Sequence, residues 1–132
     1  MPAHDHKILI VDDDPDILEL LTYILAAEGY QVVSSTNGKE TDSLHEILPD
    51  LVLLDLRMNG AAQAGAKICL KLKTQANTKS LPVILISAEP DIESIAKYCY
   101  ADDYISKPFN IHDFLSKVRT NLYDRKSNGG TP

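Results

Sequence analysis

Five short runs, at residues 7–11, 31–34, 50–54, 82–86 and 102–105, read as β-strands, and three of them contain four consecutive apolar residues. These are Ile8-Leu9-Ile10-Val11, Leu51-Val52-Leu53-Leu54 and Val83-Ile84-Leu85-Ile86. A sheet with one wet face alternates apolar and polar side chains, so uninterrupted runs point to parallel strands covered on both sides. Segments with helical spacing lie between the strands. The first carries Ile17, Leu18, Leu21, Ile24 and Leu25, with Asp14 placed to cap it, Pro15 in its first turn and Gly29 at its end. Further helices are expected over about 38–47, with Leu44, Ile47 and Leu48 as apolar contacts before Pro49, over 64–74, and over 91–99. A fifth starts at the Asn110 cap, with Phe109 and Phe114 as a hydrophobic staple and Phe114, Leu115, Val118 and Leu122 as its core face. Strict alternation of five strands with five helices implies an α/β fold, a doubly wound five-stranded parallel sheet within a three-layer α/β/α sandwich.

A chain of 132 residues suits one domain, expected over 7–124, between a short polar leader (1–6) and a tail (125–132) without apolar periodicity. Lys and Arg total 13 against 19 Asp and Glu, a formal charge of -6. That balance argues against a surface for a nucleic-acid backbone and suits a site that holds a cation. Cys69 and Cys99 lack metal-type spacing and are expected to be buried thiols in a reducing compartment. No apolar stretch resembles a signal peptide or approaches the ~20 residues needed to cross a bilayer, so a cytoplasmic protein with no membrane partner is expected.

In an open α/β sheet the carboxyl ends of parallel strands share one edge, where side chains distant in sequence converge. Asp12, Asp13 and Asp14 follow the first strand, Asp55 the third, Ser87 the fourth and Lys107 the fifth. Each has a plainer role when taken singly: Asp14 as a helix cap, Asp12 and Asp13 as loop acids, Ser87 as a helix start, Lys107 as a surface lysine before Pro108. Their joint placement points to phosphoryl transfer. Carboxylate oxygens are the ligands Mg²⁺ prefers, and without a cation like charges ~4 Å apart at an effective dielectric of ~20 repel by about 4 kcal/mol per pair. An ionised Asp55 can attack phosphorus without a general base, while Lys107 and Ser87 can hold phosphoryl oxygens. A cis Lys107-Pro108 peptide would aim the lysine back over the strand edge.

The motifs Ile8-Leu9-Ile10-Val11-Asp12-Asp13-Asp14, Leu53-Leu54-Asp55-Leu56-Arg57-Met58, Leu85-Ile86-Ser87-Ala88 and Ala101-Asp102-Asp103-Tyr104-Ile105-Ser106-Lys107-Pro108-Phe109 occur in order. Together they resemble the receiver domain of two-component response regulators, over about residues 7–122. The resemblance implies a flavodoxin-like (βα)5 fold and a phosphoryl group accepted on Asp55 from a sensor histidine kinase or a histidine phosphotransfer protein. It implies Mg²⁺ bound by Asp13, Asp55 and the Arg57 backbone carbonyl, with Asp12 acting largely through water, and phosphoryl contacts from Lys107 and Ser87. Tyr104 matches the switch aromatic, whose ring turns inward as Ser87 moves. The fourth helix, fifth strand and fifth helix would form a reporting face, with Lys97, Asp102, Asp103, Lys117 and Arg119 as its charges and homodimerisation as one use.

Several positions depart from the family pattern. Asn59 follows Met58 where proline is common, and Gly65 lies further from Asp55 than usual, so the loop after the third strand is expected to be longer and more mobile. The Ser87-to-Lys107 interval is shorter than usual, and Tyr100 stands where glycine is common. Arg57 and Glu89 are expected to pair across the pocket mouth and slow attack of water on a phospho-aspartate. A phosphorylation-independent pseudo-receiver is the alternative on the same fold. An aspartate-nucleophile phosphohydrolase would need a second acid two residues after Asp55, where Arg57 stands, so a signalling domain rather than an enzyme turning over an external substrate is expected.

Overall fold

The computed structural model describes residues 6–124; the rest of the expected leader and the whole expected tail lie outside the described residues. The strands are β1 (Lys7–Val11), β2 (Gln31–Ser35), β3 (Leu51–Asp55), β4 (Val83–Ser87) and β5 (Asp103–Ser106). They form one parallel sheet in the order β2-β1-β3-β4-β5. The helices are α1 (Pro15–Ala27), α2 (Leu44–Ile47), α3 (Ala64–Thr74), α4 (Ile92–Tyr98) and α5 (Ile111–Arg119). Among the described residues, no helix is long and apolar enough to cross a membrane.

The uninterrupted apolar runs have the cause expected for them. Side chains alternate across a strand, so Ile8, Ile10, Leu51, Leu53, Ile84 and Ile86 pack with α1 and α5 on one face. Leu9, Val11, Val52, Leu54, Val83 and Leu85 pack with α2, α3 and α4 on the other. Both layers are apolar, and after Lys7 at the start of β1 the strands β1, β3 and β4 carry no polar residue before their carboxyl ends. At the start of α1 the Asp14 carboxylate accepts from the Asp16 and Ile17 N–H groups, and Asn110 accepts from Asp113 N–H at the start of α5. Phe109 stacks on Phe114 with ring centroids 5.4 Å apart, as the staple requires. Leu122 is buried as expected, although it lies in a π-helical turn, Thr120–Asp124, that continues α5.

The second helical segment differs from its expectation. A 3-10 helix, Lys39–Ser43, leads into the single turn of α2, and only Leu44 of the three expected contacts is buried. Leu48 takes a left-handed conformation (φ 53°) that closes the turn and leaves its side chain 69 % exposed. Lys39-Glu40-Thr41-Asp42-Ser43 has no apolar residue to hold a longer helix against the sheet, which is why the pattern fails there.

The charges expected on the reporting face all have partners within the domain. Lys97 lies 3.8 Å from Glu93, Asp102 lies 2.7 Å from Lys73, Asp103 lies 2.9 Å from Lys117, and Arg119 lies 4.0 Å from Glu28. The Lys73 pair is the most enclosed, its side chain 7 % exposed, with Nζ also donating to the Leu81 carbonyl. The two cysteines are buried free thiols, as expected; a hydrogen bond to Cys99 and burial push the Cys69 thiol up.

Tyr100, just beyond α4, takes φ 63° with its side chain exposed. That backbone region costs a non-glycine residue about 1 kcal/mol or more, which explains glycine as the usual choice. Tyr100→Gly therefore raises unfolding free energy by about 0.5–1 kcal/mol, read as a higher urea midpoint; an unchanged or lower midpoint contradicts this.

Candidate functional site

Parallel pairing brings the expected residues to one sheet edge. Asp55 ends β3 opposite Ile86, Ser87 ends β4 opposite Ser106, and Asp12 follows β1 with its N–H donating to the Ser35 carbonyl of β2 at 3.0 Å. One carboxylate oxygen from each of Asp12, Asp13 and Asp55 lies within 4.8 Å of the others. Lys107 Nζ stands 3.4 Å from Asp55 Oδ1 and 4.0 Å from Asp12 Oδ2. The Lys107-Pro108 peptide is cis. Asp14 faces away as the α1 cap and contributes its N–H to Asp12 Oδ1 at 2.9 Å.

Burial sets the electrostatics. Asp12 is 2 % exposed and Asp55 8 %. Desolvation, followed by the charge of Asp12, pushes the Asp55 carboxyl up to about 6 against the opposing pull of Lys107. Desolvation raises Asp12 as well, opposed by the Asp14 N–H and by Lys107. Three carboxylates therefore cluster here, two of them beside Lys107. This set of hard oxygen donors with surplus negative charge fits a Mg²⁺ ion, and a divalent charge would offset what burial costs.

Ser87 is buried, and its Oγ accepts from the Glu89 N–H at 2.9 Å, leaving the hydroxyl proton available for donation. Arg57 Nη2 lies 3.4 Å from Glu89 Oε2, with both side chains exposed to solvent. The ring of Tyr104 is half-buried against the α4 side of the core, and Lys117 Nζ lies 4.9 Å from its centroid.

The loop after β3 carries a tight turn. Met58 and Ala61 exchange backbone hydrogen bonds of 3.1 and 2.9 Å around Asn59 and Gly60, which both have positive φ (54° and 79°). These are the features of a type I′ hairpin turn, for which Asn-Gly is the strongest short-range signal. Met58, 2 % exposed, anchors the turn in the core. Asn59 N–H then donates to Asp13 Oδ2 at 2.8 Å, a contact proline could not make. The sequence reading missed this donor although the Asn-Gly pair announced it. Gly65, at the start of α3, donates its N–H to the Leu56 carbonyl at 2.8 Å and lies against the Asp55 backbone.

Comparison with known proteins agrees with this geometry. The family described as "Response regulator receiver domain" matches residues 8–119. The DNA-binding response regulator MtrA of Mycolicibacterium smegmatis is 34 % identical over 125 residues, covering 92 % of this chain and 53 % of the relative. The phosphate regulon transcriptional regulatory protein PhoB of Rhizobium meliloti is 34 % identical over 121 residues, covering 88 % and 52 %. The chain thus spans about half the length of the curated relatives it matches. Among solved structures, a response regulator described as putative from Chloroflexus aurantiacus superposes with TM-score 0.81 at 30 % identity, covering 90 % of this chain and 98 % of that one. TrrA of Thermotoga maritima, solved in complex with Mg²⁺ and BeF, superposes with TM-score 0.74 at 33 % identity, covering 89 % and 99 %. The fold, the convergence of its acids and the family match together identify the chain as a member of the receiver domains of two-component response regulators.

Proposed function

We propose that Asp55 accepts a phosphoryl group from the phosphohistidine of a sensor kinase or a histidine phosphotransfer protein. The observation that carries this reading is the convergence of Asp12, Asp13 and Asp55 at one sheet edge, with Lys107 beside Asp12 and Asp55 and Ser87 on the adjoining strand end. With its carboxyl near 6, Asp55 is mostly ionised above pH 7 and attacks phosphorus as one oxygen forms the P–O bond. The P–N bond to the donor imidazole breaks, and that ring nitrogen takes a proton from water. Asp13, Asp55 and the Arg57 carbonyl would hold Mg²⁺, with Asp12 acting largely through water, and the ion would supply neutralising charge for a phosphoryl group. Lys107 pairs with one phosphoryl oxygen and the Ser87 hydroxyl donates to another. Ser87 leaves Glu89 N–H as it does so, and Tyr104 turns into the space it opens.

The reading makes the domain a cytoplasmic switch with no turnover of an external substrate. Although the curated relatives are named as DNA-binding, a domain of formal charge -6 is assigned no nucleic-acid contact of its own. A phosphorylated histidine phosphotransfer domain should pass its label to this chain in Mg²⁺ and leave it on the donor when Asp55→Asn is the acceptor. Label passing equally to the variant contradicts the assignment.

The Arg57–Glu89 pair, 3.4 Å apart and flanking the acceptor and the hydroxyl in sequence, is assigned the role of screening the phosphorus of a phospho-aspartate from attack by water. An exposed pair is worth at most about 1 kcal/mol, so Arg57→Ala and Glu89→Ala each shorten the phospho-aspartate half-life by up to about fivefold. Phosphate release kinetics check this; unchanged half-lives in both variants remove the lid role.

A further inference from the structure

β5 is an edge strand, paired only with β4, and α5 lies on the opposite sheet face from α4. Lys117 of α5 nevertheless reaches Tyr104, whose ring belongs to the α4 side. Its Nζ donates to the Tyr104 carbonyl and to Asp103 Oδ1, both at 2.9 Å, and lies 4.9 Å from the centroid of the Tyr104 ring. Asp103 is fixed in turn. Its Oδ1 also accepts from Tyr104 N–H at 2.8 Å, and its Oδ2 accepts from Asn121 Nδ2 at 3.0 Å. Asn121, 7 % exposed, closes the ring of contacts by donating to the Lys117 carbonyl at 2.8 Å. The ammonium is therefore held at one place around the strand edge, and the aromatic ring rests against it.

We propose that Lys117 is a positioning residue that holds the Tyr104 ring in its unphosphorylated orientation through a cation–π contact. The inference rests on the reading of Tyr104 as the switch aromatic. Asp103 and Asn121 keep the ammonium anchored to backbone and carboxylate, so it does not follow the ring. When the ring turns inward it loses the cation, and this loss opposes switching until the phosphoryl group outweighs it. A partly exposed contact of this kind biases the two ring orientations about two- to fivefold. Inward rotation also uncovers the ammonium, so the charge that a partner meets at this edge depends on the state of the ring.

The test follows the Tyr104 ring by NMR in Mg²⁺-free, unphosphorylated protein, with its signals assigned through Tyr104→Phe. Lys117→Gln keeps a donor for the carbonyl and removes the charge; Lys117→Arg keeps both. Gln should displace the ring signals and raise the inward population about two- to fivefold, while Arg should leave them near the wild-type positions. Ring signals that stay unchanged in Gln, or move equally in Gln and Arg, overturn the proposal. Should Lys117→Gln fail to fold, Asp103→Asn loosens the anchor with the charge retained, and displacement in the same direction is expected; no displacement overturns the proposal. Mg²⁺ with beryllium fluoride, a phosphoryl mimic, should then bind Lys117→Gln about two- to fivefold more tightly than wild type. Equal affinity overturns the latch. Binding to neither protein counts against the phosphoryl-accepting reading, and the ring comparison still decides the role of Lys117.

Discussion

Asp55→Asn should make the Mg²⁺-free domain more stable at neutral pH by about 3 kcal/mol, an unusual outcome for substituting a buried polar residue. The folded protein binds the Asp55 proton more tightly than the unfolded chain does, because its carboxyl rises from 3.8 to about 6. Each tenfold change in proton affinity corresponds to about 1.4 kcal/mol, so the ionised form carries a penalty of this order. The sign is fixed by linkage. Wild-type protein gains stability from this group as pH falls from about 6 towards 4 and loses it again as pH rises through about 6. The Asn variant lacks this dependence, so its advantage is full near pH 7.5 and fades towards pH 4. Saturating Mg²⁺ should narrow the gap by stabilising the ionised wild type. Urea unfolding of both proteins at the two pH values, with and without Mg²⁺, measures each part. An Asn variant no more stable than wild type at pH 7.5 would contradict the penalty that burial and the neighbouring Asp12 place on ionised Asp55.

The second large effect is expected at Gly65. A Cβ there would collide with the Asp55 carbonyl oxygen and lie 2.9 Å from Leu56 Cα. Both neighbours are backbone at the end of a buried strand, so neither can rotate aside. Gly65→Ala must push α3 outward or drag the end of β3, costing about 2–3 kcal/mol and moving Asp55 relative to Lys107. Phosphoryl acceptance should fall together with stability. Gly60→Ala serves as the contrast, since a Cβ there meets nothing within 4 Å and only the positive φ opposes it, at about 1 kcal/mol. A Gly65→Ala protein as stable and as readily phosphorylated as wild type would contradict the close approach.

The parts of the fold that were legible in the amino acids are those where one local rule agrees with the tertiary environment. β1, β3 and β4 are apolar at both faces because both faces are covered, and the end of each run marks the edge where Asp12, Asp55 and Ser87 meet. The caps of α1 and α5 were legible because Asp14 and Asn110 satisfy N–H groups only a few residues away. The segment before α2 was not, because Leu44 alone enters the core and a left-handed Leu48 turns the chain away. In the loop after β3 the Asn59-Gly60 pair is itself the legible signal, because both residues take the positive φ of a tight turn and Met58 beside them is buried. The pairing of Asp102 with Lys73 and of Asp103 with Lys117 depends on how helices dock on the sheet, which charge spacing does not encode.

Intact mass after incubation with Mg²⁺ and a small acyl phosphate tests the central claim most directly, on the native chain and on Asp55→Asn. The account predicts a gain of one phosphoryl group that requires Mg²⁺ and is absent from the variant. A folded native protein that gains no phosphoryl group beside a competent control receiver, or a variant that gains it equally, would contradict Asp55 as the acceptor.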